Sequence, residues 1–341
     1  MSALGLGRTT VSPVTDTTHP AESPSTTPSA AAPAAGQDVP SGVQHTLRAG
    51  PYEAVVTEVG ANLRALTADG VEVVQPFAAE VIAPASHGAV LAPWPNRLRD
   101  GRYTFDGTEY QVPVTEPARG TALHGLVCWD RWSVVARETT QTSDAIELRV
   151  VPVPQPGYPF GLKVTVRYAL DADGLTVTTR ARATGAQAAP FGLGFHPWLS
   201  TRGAAVDDCT LRLDATDHVT VDERLLPTGT EPVAGPYDLR AGLPLDGVDL
   251  DDAWVGATRD DHGLSWAVLT TPDGLRTSLW MDASFAAWQV CTGDHITPAW
   301  ARTAVAVEPM TCVADAFNTG ELLVVLAPGE EHVSRWGLSL A

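Results

Sequence analysis

From residue 43 onward the chain is written in short runs that alternate polar and apolar residues. Tyr52-Glu53-Ala54-Val55-Val56-Thr57-Glu58-Val59 is one, and Ala145-Ile146-Glu147-Leu148-Arg149-Val150 is another. Successive side chains of a strand point to opposite faces, so a period of two buries one face and wets the other. Leu162–Tyr168 and Leu175–Arg180 flank Asp171-Ala172-Asp173-Gly174, and Leu264–Leu269 and Leu275–Met281 flank Thr270-Thr271-Pro272-Asp273-Gly274. Such Asp/Gly-rich breaks between alternating runs predict antiparallel hairpins. A last pair is expected from Leu322–Leu326 and His332–Leu340 around Pro328-Gly329. No long stretch carries helical period with caps; Ala78–Ile82 and Val313–Phe317 read as single turns. The pattern therefore predicts an all-β chain, a large antiparallel β-sandwich of two stacked sheets with few short helical turns.

The strand runs continue without a linker, so residues 41–341 read as one domain. Residues 1–40 are rich in Pro, Ser, Thr and Ala and lack apolar periodicity. They read as a disordered tail, because so little apolar surface cannot offset the entropy of ordering. A hydrophobic fraction of 44% suffices for a large core. The net charge of −18, from 22 Lys+Arg against 40 Asp+Glu, argues against a nucleic-acid or anionic membrane partner. Four cysteines, Cys128, Cys209, Cys291 and Cys312, stand far apart without a CxxC, which argues against a metal cluster or disulfide scaffold. With no signal-peptide pattern and no apolar run near the ~18 residues of a membrane span, the expectation is a cytoplasmic protein with reduced thiols.

Five segments interrupt the alternation with clustered polar and aromatic residues. They are Ala92–Arg97, Ala122–Gly125, Phe191–Trp198, Leu250–Trp254 and Val307–Met310. In each, one or two ionisable residues sit among apolar ones, the setting in which a pKa is tuned by burial. Tryptophan beside polar groups also suits sugars, whose C–H faces stack on aromatic rings while their hydroxyls need directed hydrogen bonds. There is no GxSxG elbow, P-loop or GxGxxG after a strand, and His124 and His196 lack metal-ligand spacing, so neither a metal nor a cofactor is expected.

These segments resemble, in order, the motifs of the aldose 1-epimerase (galactose mutarotase-like) superfamily. Asn96-Arg97-Leu98 with Gly101, Phe105, Gly107 and Tyr110 is similar to its Asn-Arg-Ile…Gly…Phe…Gly…Tyr segment. Leu123-His124-Gly125 is similar to its His-Gly motif. His196 stands at its His before an aromatic-containing turn, Asp251–Trp254 at its Asp-x-x-Phe, and Glu308 with Asp315-Ala316-Phe317-Asn318 at its Glu…Asp-Ala-x-Asn signature. The resemblance implies the family's supersandwich fold and cofactor-free interconversion of the α and β anomers of an aldohexose or related sugar. It implies Glu308 as general base and His196 as general acid, with His124 near the ring oxygen and Arg97 and Asp251 on sugar hydroxyls. Asn96, Trp198 and Trp254 lie inside the motifs and are further candidates for the sugar site.

A carboxylate and an imidazole suit this reaction. Ring opening takes a proton from the C1 hydroxyl and gives one to the ring oxygen, and closure reverses both steps. The residues alone leave Asp251 and Asp252 as alternatives, and Asn96 equally reads as holding a turn through backbone bonds. Pro197-Trp198-Leu199-Ser200 stands where many members have Tyr-Phe-Asn-Leu, and Pro309-Met310-Thr311 replaces a frequent Thr-Gln. Those neighbours shape the pocket, so the resemblance implies a reaction without naming its sugar. A non-catalytic sugar-binding protein or sensor and a glycoside hydrolase are the competing functions; neither uses a carboxylate and an imidazole in this way. The expected partner is a small sugar, and the chain is expected to be a monomer or homodimer.

Overall fold

The computed structural model describes residues 39–341. The tail expected over residues 1–40 falls, up to residue 38, outside the described residues. The alternating runs become strands in two large antiparallel sheets, with about half of the chain in strand. One sheet has twelve strands. Its main path runs from Gln44–Ala49 through Tyr52–Thr57, Leu63–Ala68 and Val71–Val74 to Trp198–Ser200 and Ala304–Met310. It continues through Ala287–Cys291, Asp251–Ala257 and Ala215–Val221 to Pro227–Pro232. The nine-stranded sheet runs from Ser133–Thr139 through Asp144–Val150, Leu162–Asp171 and Gly174–Ala183 to Glu331–Leu340. Beyond that lie Arg276–Met281, Ser265–Thr270, Thr210–Leu213 and Leu243–Pro244.

Period-two alternation delivers the inner faces of both sheets to one core. Leu199, Trp254, Trp288, Val290, Val305 and Val307 come from the first; Val164, Val166, Tyr168, Val177, Leu279 and Trp336 come from the second. Each such side chain contributes roughly 1.5–3 kcal/mol when fully buried, which is why the alternating pattern dictates the stacking. Two of the expected hairpins form as read, Leu162–Asp171 with Gly174–Ala183 and Ser265–Thr270 with Arg276–Met281. The third does not. Val324–Leu326 pairs with Ala189–Phe191, while Glu331–Leu340 inserts between Gly174–Ala183 and Arg276–Met281. The ten-residue last strand finds two long partners in the sheet, a larger ladder than a three-residue neighbour across a turn could offer. The only α-helix among the described residues is the single turn Ala316–Thr319, and no helix is long and apolar enough to cross a membrane.

Hydrogen bonds tie the two layers through the core, Trp288 to Ser265 and Tyr168 to Ala61 among them. The Tyr168 hydroxyl, fully buried, donates to the Ala61 carbonyl at 2.6 Å. Tyr168→Phe leaves that carbonyl without this donor inside the protein, which costs about 1–3 kcal/mol. Urea unfolding is expected to show a lower midpoint at unchanged slope; an unchanged midpoint would show that the bond contributes nothing net.

Candidate active site

The strand Ala304–Met310 is buried along its whole length. Val305 and Val307 enter the inter-sheet core, so Ala304, Ala306, Glu308 and Met310 project from the opposite face of the twelve-stranded sheet. Register then sets Glu308 beside Gln289, and Gln289 beside Ala253. Two residues along from Ala253, Asp251 shares that face, and the Gln289 amide donates to its Oδ1 at 2.8 Å. His196 and Trp198 reach the same face, since Phe195 and Leu199 belong to the core. The His196 Nε2 lies 3.3 Å from the Glu308 Oε1. Their other polar atoms, Nδ1 of His196 and Oε2 of Glu308, are buried without a protein partner. Trp198 stacks on the imidazole with ring centres 5.6 Å apart.

A short ribbon, Arg97–Arg99 paired with Thr121–Leu123, closes the cavity from above. Asn96 and His124, the residues at its mouth, both have left-handed backbones with φ of 55° and 64°. The Asn96 side chain accepts from the Arg97 backbone N–H at 2.8 Å, which stabilises that unusual conformation. Gly125 follows at φ 74°, where a Cβ would come within 2.2 Å of the Ala92 carbonyl oxygen, so only glycine fits. The Asn96 N–H donates to Nδ1 of His124 at 3.2 Å, which fixes the proton of the neutral ring on Nε2. From below, Asp315 accepts from the Arg99 backbone N–H at 2.9 Å and from its Nε at 3.1 Å, tying the ribbon to the C-terminal segment.

Asn96, Arg97, His124, His196, Trp198, Asp251 and Glu308 thus line one cavity of about 200 Å³. Asp251 faces it; Asp252, on the other side of the strand, meets His218 at 2.9 Å. Trp254 does not reach the cavity. It shares the parity of Asp252, lies in the inter-sheet core at 1% exposure, and donates its indole N–H to the Tyr237 carbonyl at 2.9 Å. A motif aromatic on the inward side of a strand fills the core whatever stands next to it.

The pattern of the aldose 1-epimerase family matches residues 43–339. The chain belongs to that family. Among relatives of this epimerase-family chain, the uncharacterized Escherichia coli K12 protein YihR is 36% identical over 303 residues, 86% of this chain and 91% of that protein. Mouse galactose mutarotase is 36% identical over 172 residues, 48% of either chain. A galactose mutarotase-like protein from Clostridium acetobutylicum superposes with a TM-score of 0.78 at 19% identity, covering 87% of this chain and 94% of that one. A galactose 1-epimerase from Lactobacillus acidophilus does so with a TM-score of 0.72 at 18% identity, over 87% and 94%. At such identities the structural likeness is one of fold.

The cavity of this family member also contains residues outside the family motifs. Glu116 and Arg119 enter it from the loop before Thr121, Gln289 supports Asp251, and Leu250, Ile296 and Cys291 supply apolar wall. Glu116 stands outside every motif, and its only sequence signal is a short loop, Thr115–Gly120, before the His-Gly segment. His87 lies behind the site, stacked on Trp198 at 4.9 Å.

Burial governs the charges here. It raises the Glu308 carboxyl well above its usual range, the negative Asp251 adds to the rise, and Arg97 opposes it. It lowers His196 to about 3, with Arg97 acting in the same direction, and lowers His87 to about 3. His124 is lowered well below the ordinary value by burial, then by His196 and Arg97. An unfolded histidine takes up its proton near pH ~6.5, whereas these three do so far lower when folded. Below that value the unfolded chain binds more protons, so their contribution falls with pH. Glu308 acts oppositely, because the folded carboxyl keeps a proton that the unfolded one releases above pH ~4.5. Three histidines outweigh one carboxyl. Between about pH 6 and pH 5 these groups are expected to lower stability as the pH falls. Urea midpoints measured across that range should fall, less so in His87→Gln; stability that is level from pH 7 to 5 would contradict the shifts.

Proposed function

We propose that the chain is an aldose 1-epimerase that interconverts the α and β anomers of an aldohexose or related sugar, with residues 41–341 as its catalytic unit and no cofactor. The observation that carries this reading is the buried contact of His196 Nε2 with Glu308 Oε1 at 3.3 Å. Their unpartnered Nδ1 and Oε2 atoms leave hydrogen-bonding capacity for a ligand or water. Binding alone does not require a carboxylate and an imidazole in contact; moving a proton does. In this reading Glu308 takes the C1 hydroxyl proton while His196 protonates the ring oxygen. The open-chain aldehyde rotates about C1–C2, and the two groups reverse roles to close the other face. His124 offers its Nε2–H to the ring oxygen, Arg97 and Asp251 hold hydroxyls, Trp198 backs the sugar, and Asn96 shapes the turn.

Turnover needs one proton on the pair. Burial favours carboxylic acid with neutral imidazole, and transfer across the 3.3 Å contact gives the carboxylate and imidazolium that the reaction uses. The titration belongs to the pair. A second proton is added only as pH approaches the lowered His196 value of about 3, and the first is lost only above the raised Glu308 value. The enzyme-dependent kcat/KM is therefore expected to stay level as pH falls from about 7.5 to 5.5. An acid limb centred near the free-histidine value and abolished in His196→Asn would overturn this protonation scheme.

Proton NMR or polarimetry on freshly dissolved α-glucose and α-galactose tests the activity itself. Wild type should accelerate equilibration of at least one of them, and Glu308→Gln should be slower by about 10²–10⁴-fold while still binding the sugar. Sugar binding without any acceleration would favour a sensor or binding protein, and a variant rate within about threefold of wild type would remove Glu308 as the base.

A further inference from the structure

We infer that Glu116 is a positioning residue of this site, a carboxylate that locks the Arg97 guanidinium in one orientation and so sets the affinity for sugar. The inference rests on the reading that Arg97 meets the substrate, and extends it to a residue that no motif marks. Arg97 is 8% exposed. Its Nε donates to Glu116 Oε2 at 3.0 Å and its Nη2 to Glu116 Oε1 at 3.3 Å. That side-on pairing matches the planar fork of a guanidinium to the two oxygens of a carboxylate, a match that a lysine could not make. Nη2 also donates to Asp251 Oδ2 at 3.3 Å, and Nη1 to Asn96 Oδ1 at 3.4 Å. Four of the five guanidinium N–H groups are thereby engaged, which leaves one on Nη1 for a ligand.

Glu116 itself has no such spare capacity. Oε2 also accepts from the Thr121 hydroxyl at 2.6 Å, and Oε1 from Arg119 Nη1 at 3.4 Å. With both Arg97 bonds, the acceptor sites of the carboxylate are filled, so it acts through Arg97 and does not take a sugar hydroxyl. Its loop is rigid for clear reasons. Residues 116 and 121 form a β-bridge, and Arg224 donates to the carbonyls of Arg119 and Gly120 at 2.7 and 2.8 Å. The negative charge also balances Arg97 beside Asp251, both carboxylates accepting from Nη2. Without it the guanidinium would turn fully onto Asp251, and both would lose the geometry that suits a pair of adjacent hydroxyls.

The test is Glu116→Gln in the full chain, read two ways. A glutamine keeps the size but can present only one acceptor to the fork, so the bidentate pair is lost. The Arg97 Nε–H resonance, assigned by its disappearance in Arg97→Lys, should be sharp and slowly exchanging in wild type and lost or fast-exchanging in Glu116→Gln. On whichever of α-glucose or α-galactose wild type turns over, KM should rise about 10- to 100-fold, as expected for misplacement of a contact by an ångström or so. At the same time kcat should change less than about threefold, since Glu116 touches neither Glu308 nor His196. An unchanged Nε–H resonance, an unchanged KM, or a fall in kcat at constant KM would each overturn the inference. If wild type turns over neither sugar, the functional reading fails and the resonance alone still decides the clamp. If Glu116→Gln does not fold, Glu116→Asp, too short to span both nitrogens, is read by the same criteria.

Discussion

Burial of the strand Ala304–Met310 on both faces is the constraint on which the site depends. A strand with one face in the core and the other in water would hold Glu308 as an ordinary ionised carboxylate. Here the ribbon flanked by Asn96 and His124 covers the second face, and the carboxyl is left buried against an imidazole. The low effective dielectric makes either charge alone costly, so burial favours the neutral carboxylic acid beside a neutral imidazole. Burial also lowers the neighbouring histidines, His124 and His196 at the cavity and His87 behind it, packed against Phe77, Trp198 and Trp300.

Charge balance follows from that burial. The cavity wall carries Glu116, Asp251 and Glu308 against Arg97 and Arg119. Glu308 and Arg97 are the most buried of these, and a lone charge there would be costly. Arg97 is the hub, bonded to two carboxylates and within electrostatic reach of the third. Its guanidinium stays protonated in spite of burial because Asp251 and Glu116 more than offset the desolvation. One positive group thus serves three acidic ones from different parts of the chain.

Much of this was legible in the sequence because strand alternation and local turns are short-range signals. Hairpins with Asp/Gly turns formed where they were read. The failed one, Leu322–Leu326 with His332–Leu340, shows the limit: adjacency along the chain says nothing about a better ladder elsewhere in the sheet. The placement of the motif residues on one cavity followed from parity, and parity also separates Asp251 from Asp252. It excludes Trp254, which a motif-level reading groups with its neighbours although its side chain points the other way. Glu116 was illegible because its role depends on a contact with Arg97 across 19 residues and two loops, with no periodicity to mark it.

The position of the last strand has a consequence for how the molecule is made. Glu331–Leu340 lies in the middle of the nine-stranded sheet, hydrogen-bonded on both sides. During synthesis, the earlier strands leave the ribosome with a gap at the centre of that layer, and the opposing sheet has nothing continuous to pack against. The cavity is likewise assembled from segments far apart in the chain, its ribbon tied at Arg99 by Asp315. Such a topology, dominated by contacts distant in sequence, folds slowly. It also means that a chain interrupted before Glu331 leaves Gly174–Ala183 and Arg276–Met281 with open strand edges facing one another across the gap.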